Sequence, residues 1–180
     1  MPKSSKQQFD FYLQTTKGVF ILNINIISVG KLKEKYLTAA LDEYIKRISR
    51  FAKVCITEIA DKKIPENASE KEQLQVLRAE GDMILSKIKD SHFVFALCVE
   101  GTQLNSVEFS KKISLAALNG KNDIDFIIGG SLGLCQAVKD AADFKISFSE
   151  MTFPHQLMRV ILAEQIYRSF KIINNETYHK

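Results

Sequence analysis

Residues 125–154 read DFIIGGSLGLCQAVKDAADFKISFSEMTFP, and this stretch decides the fold. A short apolar run, Phe126-Ile127-Ile128, stops at Gly129-Gly130-Ser131-Leu132-Gly133. A buried strand looks like this when it empties into a loop whose backbone must pass close to something. That something is either a ligand or only the chain's own tight strand-to-helix turn. Phe144-Lys145-Ile146-Ser147-Phe148 then alternates apolar and polar residues and breaks into Ser149-Glu150-Met151-Thr152, before Phe153-Pro154 opens a long helix. Two adjacent strands of this kind deliver two loops to one edge of a sheet. Ligands of open α/β sheets sit beyond the carboxyl ends of the strands, so that edge is the expected site.

Upstream, the same alternation of strand and helix repeats. Asn23–Val29 reads as a first strand ending at Gly30, followed by a helix with Leu37, Leu41, Tyr44, Ile45 and Ile48 on its apolar face. Lys53–Ile59 is a second strand, and Ser69 with Glu72 forms a capping box for a helix running towards Lys89. The most continuously apolar run, His92–Val99, predicts a central strand buried on both faces and ending at Glu100-Gly101. Ser106 is the expected cap of the next helix, which Asn119-Gly120 closes, and a short helix covers Gln136–Ala141. In the last helix Leu157, Met158, Ile161, Leu162, Gln165, Ile166, Phe170 and Ile173 recur at helical spacing, around more of the circumference than one face needs. It is either deeply buried or covered by a second subunit as well. Five strands alternating with five helices predict an α/β sandwich of mostly parallel strands.

Composition bounds the partners. The chain has 180 residues, 46% of them hydrophobic, enough for one domain with an ample core. No run approaches the roughly 20 apolar residues that cross a bilayer, so a soluble, cytoplasmic protein is expected. A formal charge of +4 permits an anionic partner such as RNA. Cys55, Cys98 and Cys135 are odd in number and far apart, and His92, His155 and His179 have no ligand spacing, so neither a disulfide framework nor a metal is expected. Residues 1–21 lack a sustained apolar core and a cleavage site and read as an extension outside the domain of residues 22–180. They are either a disordered polar arm or, if Leu22 is encoded by a UUG start, untranslated. The lysines of Lys31-Leu32-Lys33-Glu34-Lys35 are either phosphate contacts or a solvated helix start.

A nucleotide-binding dehydrogenase would carry G-x-G-x-x-G after its first strand, and this chain has only Gly30 there. Its glycines follow the fourth strand, where bare backbone can still approach an adenosine, with Leu97 as an apolar wall.

Six pieces in order carry a resemblance. They are Ile27–Lys33, Leu97–Gly101, Ile128–Ser131 with Gly133-Leu134, Ser147–Ser149 with Met151–His155, Arg159-Val160 with Glu164-Gln165 and Tyr167-Arg168, and the ending Tyr178-His179-Lys180. Together the chain from Asn23 to Lys180 resembles the RlmH family of SPOUT methyltransferases, which act on N3 of a pseudouridine in large-subunit ribosomal RNA. The resemblance implies a C-terminal trefoil knot, a homodimer packed partly through the last helix, and S-adenosyl-L-methionine as cofactor. It places cofactor contacts on Leu97, Gly129, Phe148, Ser149, Glu150, Met151, Thr152 and Phe153. Where relatives commonly have an acidic residue, this chain has Cys98, with Glu100 two positions later.

The N3 position carries a proton, so a group must accept it or stabilise the anion. Arg159 and Arg168 are candidates for the charge, and His155, Tyr178 and His179 for the proton. Each has a plainer alternative, an interface ion pair for Arg168 and a helix-start packing residue for His155. The implied partner is large-subunit ribosomal RNA or the assembled ribosome. Two further readings stay open at this stage, action on another RNA such as a transfer RNA and a non-catalytic ribosome-binding factor.

Overall fold

The structure, a computed structural model, describes residues 22–65 and 67–178. The expectations for residues 1–21 and for His179 therefore lie outside the described residues. In chain order the elements are β1 (Leu22–Val29), α1 (Lys35–Ile48), β2 (Ala52–Ile59), α2 (Glu70–Leu85), β3 (Phe93–Gln103), α3 (Ser106–Leu118), β4 (Asp123–Ile128), α4 (Gln136–Ala141), β5 (Phe144–Ser147) and α5 (His155–Ile173). The strands form one sheet in the order β2-β1-β4-β3-β5, with all four pairings parallel.

Because side chains alternate across a strand, β1 serves two cores at once. Ile24 and Ile26 pack with α1, α3 and α5 through Leu41, Phe109, Ile113, Leu162, Ile166 and Phe170. Ile27 and Val29 face the other way, against Ile84 of α2 and Val138 of α4. Phe95 and Phe126 stack on neighbouring strands with ring centroids 4.8 Å apart, and Phe109 of α3 meets both edge-on. Each fully buried ring contributes up to about 3 kcal/mol. A polar chain crosses the sheet nearer its amino edge: Thr57 donates to Asn25, Asn25 to Asp125, and His92 Nδ1 lies 3.0 Å from both Asp125 oxygens. This occupies His92 and the fully buried Asp125.

Three expectations are corrected. The strands before the two site loops, β4 and β5, are not adjacent, because β3 runs between them and pairs with both. β3 is an interior strand buried on both faces as expected, with Phe95 in one core and Val94 and Ala96 in the other, while β4 holds the middle of the sheet. β3 does not end at Glu100-Gly101 but continues to Gln103 through a register shift between Leu97 and Thr102. Gly101 allows this, since a Cβ there would meet the Ile146 backbone at 2.6 Å. Asn105, not Ser106, caps α3: its side chain accepts from Glu108 N, while the Ser106 hydroxyl donates to Gln165 of α5. The Ser69–Glu72 capping box is formed as expected. Pro154 stands at the cap of α5, one residue ahead of its first turn.

Candidate active site

Three segments leaving the carboxyl edge of the sheet, after β4, after β5 and along the end of β3, enclose a cavity of about 390 Å³. Its volume is that of a small-molecule site. The loop after β4 folds tightly on itself: Gly133 N donates to Gly130 O at 3.0 Å, and Gly133 adopts φ +79°, which favours glycine. A Cβ on Gly129 would stand 2.3 Å from Gly133 O. Two of these glycines thus serve the turn itself, the plainer of the two readings open from the sequence, and the turn they permit forms a wall of the cavity. After β5, Ser147 Oγ donates to Ser149 O and Ser149 Oγ accepts from Met151 N, both at 3.0 Å. Short local bonds of this kind fix a loop without regular structure.

Leu97, Gly129, Phe148, Ser149, Met151, Thr152 and Phe153 all line the cavity, but Glu150 does not and faces solvent. Met151 is 71% exposed and Phe153 38%. Large apolar side chains bared at a cavity mouth mark a surface that something covers. Lys139 of α4, which no sequence motif marks, lines the cavity and forms an ion pair with Glu100. The Lys139 ammonium holds the Glu100 carboxyl below its usual range. Opposite charges 39 positions apart give no periodic signal, so only the folded chain reveals the pair. Burial, then Glu100, pushes the Cys98 thiol up, which leaves it protonated and a poor nucleophile.

The expected catalytic residues separate. His155, at the start of α5, lines the cavity. Burial first, then Arg159, lowers its pKa below the ordinary 6.5. Arg159 does not line the cavity. It is fully buried, and its guanidinium donates to Glu58 Oε1 at 2.9 Å and to the carbonyls of Val29 at 3.0 Å and Gly30 at 2.6 Å. Arg168 pairs with Glu164 one turn earlier on α5 and lies over the Tyr178 ring. Tyr178 packs edge-on against Tyr167 and donates to Glu164, and burial, then Glu164, pushes its pKa up to about 12. Tyr167 is twelve residues beyond His155, about 18 Å along a helix rising 1.5 Å per residue. Within one chain, Tyr178 and His155 do not meet.

The family model described as a predicted SPOUT methyltransferase matches residues 22–179. The chain belongs to the SPOUT methyltransferase family. A relative named ribosomal RNA large subunit methyltransferase H 1, from Clostridium perfringens, is 57% identical over 159 residues, covering 88% of this chain and all of the relative. A ribosomal RNA large subunit methyltransferase H from Clostridium tetani is 55% identical over the same span. Among solved structures, the SpoU methyltransferase AviRb from Streptomyces viridochromogenes in complex with AdoMet aligns with a TM-score of 0.40 at 8% identity, over 81% of this chain and 57% of that one. Among the described residues of this SPOUT methyltransferase no His/Cys/Asp/Glu group could hold a metal ion, and no helix is long and apolar enough to cross a membrane.

Proposed function

We propose that this protein is an S-adenosyl-L-methionine-dependent 23S ribosomal RNA methyltransferase acting on N3 of a pseudouridine, working in the cytoplasm as a homodimer. The observation that carries the reading is the cavity at three strand exits, in a chain 57% identical to a protein named a large-subunit ribosomal RNA methyltransferase. The residues fit the cofactor. Leu97 and Phe148 offer apolar walls to an adenine, Gly129 and the segment from Ser149 to Phe153 offer main chain, and Glu100 with Lys139 presents a carboxylate and an ammonium to a zwitterionic head group. When bound, S-adenosylmethionine supplies an electrophilic methyl.

The chain's own residues do the rest. Phe148, Met151 and Phe153 exclude water around the reacting atoms. His155, neutral at pH 7 because its pKa is lowered, takes the N3 proton on a ring nitrogen as the nitrogen lone pair is released. Arg159 stands behind it, its positive charge keeping the resting ring neutral and its hydrogen bonds bracing the loop against the ring. A part for Tyr178 requires a second copy of the chain, whose tail would reach this cavity, and the part expected of His179 belongs to the same reading. The outward side of α5, with Leu157 exposed and Val160 and Ile161 half-buried, is the surface such a homodimer would use. The trefoil knot belongs to the same reading, as does the assignment of the activity to residues 22–180, with residues 1–21 an extension.

The test is transfer of labelled methyl from S-adenosylmethionine to ribosomes from a strain lacking the gene, followed by mass mapping of the RNA. One new methyl on a large-subunit pseudouridine is expected. Transfer only to transfer RNA, or none to any RNA, would overturn the reading.

A further inference from the structure

The segment joining β1 to α1 is held far more firmly than its length requires. Arg159 spends three hydrogen bonds on Glu58 and on the carbonyls of Val29 and Gly30. Glu58 Oε1 also accepts from Leu32 N at 2.9 Å, and Gln156 Oε1 accepts from Lys33 N at 3.0 Å. Gly30 N donates to Ile59 O, which ties the β1 exit to the β2 exit. Burying an arginine completely is costly, and here its bonds fix only a short surface loop.

What that loop displays is charge and one bare ring. Lys31, Lys33 and Lys35 are exposed, and the next residue, Tyr36, is 69% exposed. Lys62 and Lys63, on the neighbouring β2 exit, are exposed as well. Among the described residues none of these five lysines forms an ion pair. The acids beside them are Glu34, Asp61 and the buried Glu80, which accepts from Lys62 N at 3.0 Å, while Glu58 is neutralised by Arg159. β1 lies next to β4 in the sheet, so this loop and the glycine loop leave neighbouring strands, about 5 Å apart. His155 joins the two, because it lines the cavity and its Nε2 lies 3.5 Å from where a Cβ on Gly30 would stand.

We infer that residues 31–36, with Lys62 and Lys63, form a preformed docking platform for single-stranded RNA, in which the lysines hold phosphates flanking the target nucleotide and Tyr36 stacks on an unpaired base. This rests on the ribosomal RNA reading above and adds where the substrate lies. A basic strip beside an exposed aromatic suits single strands, since phosphates give salt-dependent affinity and any base offers a face for stacking. Because the loop is already fixed, little order is lost on binding.

The test compares wild-type protein with Lys31→Gln/Lys33→Gln/Lys35→Gln, with Tyr36→Ala, and with a control at the opposite sheet edge, Lys87→Gln/Lys89→Gln. Methyl transfer to unmodified ribosomes is measured at several potassium chloride concentrations, and uptake of S-adenosylmethionine separately. The triple variant should raise the KM for ribosomes at least tenfold at low salt, with the gap closing as salt rises. Tyr36→Ala should raise it about tenfold at every salt concentration, which corresponds to one stacked base. The kcat, the affinity for S-adenosylmethionine and the thermal midpoint should stay unchanged, and the control should match wild type. A KM within twofold of wild type for both platform variants overturns the inference and leaves the methyl-transfer reading standing. An equal rise in the control shows a general charge effect and also overturns it. Wild-type protein that takes up S-adenosylmethionine but modifies no ribosome removes the reading on which the platform rests, and the platform with it.

Discussion

Replacing Arg159 by methionine separates a structural brace from a group that meets the substrate. The substitution keeps much of the side-chain volume and removes the three donors that reach Glu58, Val29 O and Gly30 O. Hydrogen bonds involving a charged group contribute about 1.5–3 kcal/mol each, and stripping one partner from a buried ion pair costs about 3–5 kcal/mol. The Glu58 side chain is 35% exposed and can return to water, so the lower end applies, about 3 kcal/mol. At ~2–4 °C per kcal/mol for a domain of this size, the thermal midpoint should fall by ~6–12 °C. Adding Glu58→Gln should not restore it, because the two carbonyls remain unpaired. Uptake of S-adenosylmethionine below the new midpoint should be close to wild type, since Arg159 does not line the cavity. Calorimetry and equilibrium dialysis on the same preparations check both halves. A midpoint within about 2 °C of wild type, with kcat abolished, would refute the brace and make Arg159 the anion-stabilising residue that its sequence position suggests.

Three further outcomes follow from the site. For His155 the folded pKa lies below the ordinary 6.5, so activity should be on a plateau at pH 7 and fall only as the pH drops through that lowered value. The same shift makes the unfolded chain bind the extra proton first, so this residue's share of stability is lost as pH falls below about 6.5. His155→Gln should remove the acid limb from the kcat/KM profile, and an unchanged limb would clear His155 of proton transfer. Gly129→Ala should cost about 2 kcal/mol and weaken cofactor uptake, because the new Cβ meets Gly133 O at 2.3 Å; denaturant titration showing wild-type stability would contradict this. Glu100→Gln and Lys139→Gln should each weaken S-adenosylmethionine by about tenfold, one charged contact's worth. Neither should affect 5′-methylthioadenosine, which lacks the amino-acid head. Equal loss for both ligands would mean that the pair only shapes the wall.

The order of elements was legible because each strand and helix carries its own period: the breaks at Gly30, Gly129-Gly130 and Asn119-Gly120 punctuate it, and the Ser69–Glu72 box marks a helix start. Sheet order was not legible. Adjacency of β4 and β5 in the chain suggested adjacency in space, whereas β3 pairs with both, and only Gly101 hints at its long irregular course. The cavity wall from Phe148 to Phe153 was foreseeable from a polar turn between a strand and a proline. Glu150 faces outward, and nothing in that loop's pattern marks it as the exception. Lys139 and the Arg159–Glu58 pair were invisible because their partners lie 39 and 101 positions away. Tyr36 could have been noticed, since an aromatic residue beside three lysines is a local pattern.

The most direct measurement is equilibrium uptake of labelled S-adenosylmethionine by the wild-type chain and by a variant with Gly129→Val, whose side chain would run into the Gly133 backbone and break the turn that forms the cavity wall. Saturable uptake of about one donor per chain, lost in the variant while the sheet remains folded by circular dichroism, is the predicted result. No saturable uptake by the wild-type chain, or equal uptake by both, would contradict a methyl-donor site at these strand exits.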